Sequence, residues 1–127
     1  MKNRKKPRTI QIGHRAYHWA YYYDDMDFIN YPYSYYLLIP KYNPRLKVRI
    51  YFRKYEPAMN LAVYPNEGIP CSYQGRQVVL NLCRPYYARQ VIEYVFSYCF
   101  PDTTQGEISI KDGEAILEQL GYSDFYR

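Results

Sequence analysis

At 127 residues, 48% hydrophobic and 23% charged, the chain suits one folded domain that takes about two-thirds of its unfolded surface out of water, and this composition excludes a disordered body. The net charge of +5 is unevenly placed: residues 1–54 hold twelve Lys or Arg against three Asp, and residues 55–127 hold five against nine acidic residues. No run approaches the ~20 apolar residues of a membrane span, and polar residues follow the basic N-terminus where a secretory signal needs an apolar core, so the expectation is a soluble cytoplasmic protein with no membrane partner.

In chain order, residues 1–8 (MKNRKKPR) read as a flexible basic arm, with Lys5, Lys6 and Arg8 as candidate phosphate contacts, and residues 9–127 as the folded domain. Residues 9–13 (TIQIG) predict a short strand with Ile10 and Ile12 on one face. Residues 14–27 are aromatic-rich and poor in good helix formers, which favours extended structure. The apolar run 35–39 lies between Pro32 and Pro40, and this placement limits it to an edge or a brief pairing.

Residues 46–54 give the clearest strand: Leu46, Val48, Ile50 and Phe52 share one face, and Lys47, Arg49, Tyr51 and Arg53 share the other. Met59, Leu61 and Val63 alternate similarly and predict an antiparallel neighbour, placing Asn60 and Tyr64 beside the basic row. A second hairpin is expected around Gln74-Gly75-Arg76, with Val78, Leu80 and Leu82 inward. Pro85 suits the first turn of a helix reaching about residue 100, where Pro101 stops it, and Ala88, Val91, Ile92, Val95, Phe96 and Cys99 form its apolar face. Residues 107–110 read as a short strand or extended link. Residues 112–120 read as a short amphipathic helix ended by Gly121.

The fold class is therefore α+β: a mostly antiparallel sheet of four or five strands, one long helix packed on one face, and a short C-terminal helix. A one-sided helix layer leaves the other sheet face toward solvent, and the basic row belongs there. Nineteen Tyr have two uses. Rings can fill a core with their hydroxyls at its rim, or they can line a recognition face.

Candidate chemistry is sparse. His14 and His18, four apart and followed by Asp24, Asp25 and Asp27, are weak candidates for a metal site and so for a metal-dependent phosphodiesterase. On a strand, however, the two imidazoles stand about 13 Å apart, too far to share one ion. Cys71, Cys83 and Cys99 match no zinc or C-x-x-C spacing and read as buried small hydrophobes. Cys71 or Cys83 as nucleophile would need a histidine base from far upstream in the chain. No phosphate-binding glycine loop or hydrolase motif is present, and no cofactor is expected.

The basic and aromatic interleaving carries the functional expectation, since cations track a nucleic-acid backbone while rings stack on bases. The predicted function is a small non-enzymatic module contacting nucleic acid through Lys47, Arg49, Tyr51, Arg53, Tyr64 and the basic arm. The alternative is a protein-binding inhibitor or adaptor, of the kind phages and mobile elements carry, that occludes a partner through the same face. An acidic protein surface is then the ligand. Self-association is a further expectation, with Asp112, Glu114, Glu118 and Asp124 meeting the basic strand of a second copy or of the same fold.

Overall fold

The structure, a computed structural model, describes residues 7–23, 33–53 and 69–125, with Tyr23, Tyr33, Arg53 and Ile69 described by their backbone alone. The elements are β1 (Arg8–Ile12), β2 (Arg15–Tyr23), β3 (Tyr33–Pro40), β4 (Leu46–Arg53), β5 (Ile69–Tyr73), β6 (Arg76–Leu80), α1 (Pro85–Tyr98), β7 (Gly106–Ile110), α2 (Gly113–Gln119) and β8 (Tyr122–Ser123). They form a five-stranded sheet in the order β1-β2-β3-β4-β7 and a three-stranded sheet in the order β6-β5-β8. The α+β class, the long helix and the short C-terminal helix are as expected. None of the helices among the described residues is long and apolar enough to cross a membrane.

The large sheet is antiparallel from β1 to β4, and β7 joins β4 in parallel. A parallel pair needs a crossover, and here the chain passes through the β5–β6 hairpin and α1 before β7. One face of the sheet is dry: Tyr17, Trp19 and Tyr21 of β2, Tyr36 and Leu38 of β3, and Leu46, Val48, Ile50 and Phe52 of β4 are all buried. Ala88, Val91, Ile92, Val95 and Phe96 of α1, with Ile116 and Leu117 of α2, close the same core. Each such large side chain contributes roughly 1.5–3 kcal/mol by leaving water.

Tyrosine enters this core because its hydroxyl finds a partner. Tyr36 donates to the carbonyl of Leu82, Tyr21 donates to Oγ of Ser34 at 2.6 Å, and Tyr122 donates to Oε1 of Gln90 at 2.9 Å. An unpaired hydroxyl at these sites would cost about 1–3 kcal/mol.

Several expectations are corrected. Arg8 belongs to β1 and not to an arm, paired in register with Trp19. β3 is no edge strand, since it pairs with β2 on one side and β4 on the other. Pro40 is tolerated because the ladder with β4 stops at Leu38, two residues before the missing N–H. The neighbours of β4 are β3 and β7, and the segment 59–63 expected beside it lies outside the described residues. The β5–β6 hairpin forms as predicted over Gln74 (φ 51°) and Gly75 (φ 78°), the positive pair of a type I′ turn. Of the three free cysteines only Cys71 is buried; Cys83 is half-buried and Cys99, at the C-cap of α1, is exposed.

Candidate nucleic-acid interface

The face of the large sheet opposite the core is built by the intervening residues. Along β4, where Leu46, Val48, Ile50 and Phe52 go inward, Lys47 is exposed and Arg49 and Tyr51 are half-buried on the other side. The predicted alternation of Lys47, Arg49 and Tyr51 therefore holds. Arg53 ends the strand opposite Tyr33, and its side chain lies outside the described residues, as do Lys5, Lys6, Asn60 and Tyr64.

Register brings unexpected neighbours to this row. β3 places Tyr35 opposite Tyr51 and Leu37 opposite Arg49, and β2 places Tyr22 opposite Tyr35. The rings of Tyr22 and Tyr35 lie 5.1 Å apart at 32°, and those of Tyr35 and Tyr51 lie 5.2 Å apart at 38°. Lys111, just past β7, sets its ammonium 5.2 Å from the Tyr51 ring centroid. A stack of three rings capped by a cation thus runs across the sheet. Period-two alternation through residues 17–23 and 33–39 carries this signal in the sequence, but only once the strands are known to pair.

On the other side of β4, β7 sets Glu107 opposite Lys47 and Ser109 opposite Arg49. Nη1 of Arg49 donates to Oε1 of Glu107, with the two side chains 29% and 66% exposed. At the same end of the sheet Arg15 binds Asp102 at 2.8 Å and lies 4.2 Å over the ring of Tyr42. The hydrogen bond from Arg15 holds the Asp102 carboxyl below its ordinary value, and burial with the neighbouring Tyr17 pushes the Tyr42 phenol up to about 12.

The acidic half of the chain meets the basic half within this one fold, through Asp102 and Glu107. Asp112, one of the four acids expected in that role, instead accepts from the backbone N–H of Ala115 at 3.1 Å and caps α2.

Lys41, Arg45 and Lys47 are exposed and take part in no ion pair among the described residues. The β3–β4 loop that carries Lys41 and Arg45 is pinned: the side chain of Asn43 donates to the carbonyl of Thr104 at 2.8 Å, and Gly106 donates to the carbonyl of Arg45 at 3.1 Å.

Arg8 belongs elsewhere. Its guanidinium stands 4.0 Å over Trp19, on the core side, and donates to the carbonyl of Cys83. The structure therefore separates Arg8 from the row of Lys47, Arg49 and Tyr51.

The remaining candidates do not converge. His14 sits in the β1–β2 turn and is exposed, while His18 lies within β2 with Nδ1 3.1 Å from Oγ1 of Thr9. Among the described residues no three His, Cys, Asp or Glu come together to hold a metal, and Asp24, Asp25 and Asp27 lie outside them. Burial raises the Cys71 thiol, which opposes the thiolate a nucleophile requires. Compared with family models, with curated proteins and with solved structures, the chain matches none.

Proposed function

We propose that the protein is a non-enzymatic binding module that docks nucleic acid on the outer face of its large sheet, with Lys41, Arg45 and Lys47 as the principal phosphate contacts. The observation that carries this reading is the exposure of Lys47 on the outer face and of Lys41 and Arg45 in the loop that leads into its strand, none of them in an ion pair among the described residues, while Asp102 and Glu107 are taken by Arg15 and Arg49. Arg49 is a reserve contact. A pair exposed to this degree contributes about 0–1 kcal/mol, so a phosphate oxygen can replace Glu107 at little cost.

The test is fluorescence anisotropy of labelled single-stranded DNA and RNA at two salt concentrations. Three phosphate contacts predict a log–log slope of about −2 for single strands, a loss of roughly 20-fold in affinity for a fourfold rise in salt. Replacing Lys41, Arg45 and Lys47 together by Ala is expected to remove binding. Absence of binding by the unaltered protein at low salt would refute the reading.

A second reading, occlusion of a protein partner by the same face, is favoured by the apolar Leu37 and Ile39, which are half-buried beside the tyrosine stack. Its signature is a complex that survives salt and is lost on Leu37→Asp.

A further inference from the structure

Resting on the nucleic-acid reading, we infer that this face reads the phosphate backbone alone, without base stacking, so that its ligand class is nucleic acid of any base composition. Aromatic platforms for single strands work by offering ring faces to bases, and each stacked base raises affinity by a factor of roughly 5 to 150. The faces of Tyr35 and Tyr51 are turned to neighbours on both sides. Tyr35 lies between Tyr22 at 5.1 Å and Tyr51 at 5.2 Å, one on each flanking strand. Tyr51, in turn, has Tyr35 on its β3 side and the ammonium of Lys111 over its ring at 5.2 Å from the β7 side.

A base entering this stack would have to part rings already in contact, and Tyr35 and Tyr51 are only half-buried, held by neighbours and not by depth. A phenol also carries a hydroxyl, which both donates and accepts hydrogen bonds. Hydroxyls of this kind hydrogen-bond phosphate and sugar oxygens, contacts that position a strand without reading its sequence. The cations do likewise: Lys47 is exposed on the strand that carries Tyr51, and Lys41 and Arg45 are exposed in the loop before it.

The experiment compares two labelled oligonucleotides of equal length, about ten positions long, one of thymidines and one abasic throughout, titrated against the unaltered protein at low salt. Backbone readout predicts affinities within about threefold of each other, and the same roughly 20-fold weakening of both for a fourfold rise in salt. An abasic strand bound fivefold or more weakly, at the level of even one stacked base, overturns the inference while leaving nucleic-acid binding in place. Failure of both strands to bind overturns the reading beneath it. A third arm uses Tyr35→Phe, which keeps the ring and removes the hydroxyl: a loss of affinity equal for the two strands supports the inference, and a loss confined to the thymidine strand opposes it.

Discussion

Tyr35 and Tyr36 are adjacent on β3 and have opposite duties. Tyr36 is fully buried, T-shaped against Trp19 and Phe52, with its hydroxyl given to the carbonyl of Leu82. Tyr35, on the other face, is half-buried in a stack with Tyr22 and Tyr51. The pleat alone makes the difference, since neighbouring residues leave a strand on opposite sides. Tyrosine serves both faces because its ring packs as a hydrophobe while its hydroxyl donates to a buried carbonyl or exchanges hydrogen bonds with water. The inner face of the sheet is thus expected to hold the stability, and the outer face the binding.

The strongest way to break that division is to truncate the same strand on its two sides. Ile50→Ala, at a fully buried position, should cost about 2–5 kcal/mol by urea denaturation. Lys47→Ala should stay within about 0.5 kcal/mol. Equal losses would mean that the outer face is also structural.

Gly113→Ala should cost about 1–3 kcal/mol by overpacking, because a Cβ there would sit 2.6 Å from the Phe52 ring and 2.7 Å from the carbonyl oxygen of Tyr51, where α2 meets β4. A change within about 0.5 kcal/mol would show that α2 yields easily.

Alkaline pH sharpens the contrast between the two kinds of tyrosine. Burial holds the Tyr36 phenol well above its usual value of 10 and pushes that of Tyr122 to about 12. Above pH ~10 the unfolded chain releases protons that the folded one keeps, so this stability is whole below pH 10 and declines as pH rises beyond it. Ultraviolet titration should show Tyr36 and Tyr122 ionising only as the fold is lost, and ionisation of every tyrosine near pH 10 with the fold intact would contradict the placement. The smallest effect is expected at the Arg49 pair. Glu107→Gln should change stability by about 0–1 kcal/mol and tighten oligonucleotide binding by freeing Arg49, whereas weaker binding would assign Glu107 a positive role.

Much of the inner face was legible in the sequence because it depends on local periodicity: the alternation of Leu46, Val48, Ile50 and Phe52, the helical spacing of Ala88 to Phe96, and Gly121, whose φ of 107° fits it to end α2. Pairing was not legible. Nothing in GEISI announces a strand that crosses over to lie parallel to β4, and so nothing foretold that Glu107 would meet Arg49. β8 is two residues long, too short for any periodic signal, so the second sheet was missed with it. The prolines misled for a physical reason: they forbid the middle of a strand but not its last residue, which is where Pro40 stands. At the candidate site the row of Lys47, Arg49 and Tyr51 could be read from one strand, whereas Tyr22, Tyr35 and Lys111 arrive from three other parts of the chain.

The most direct measurement is amide chemical-shift mapping of the protein with a short thymidine oligonucleotide. The account predicts shifts that cluster on Lys41, Arg45, Lys47, Arg49 and Tyr51, extend to Lys111, and leave α1 and the β5–β6 hairpin unmoved. Shifts centred on α1 or that hairpin, or none at saturating oligonucleotide, would contradict it.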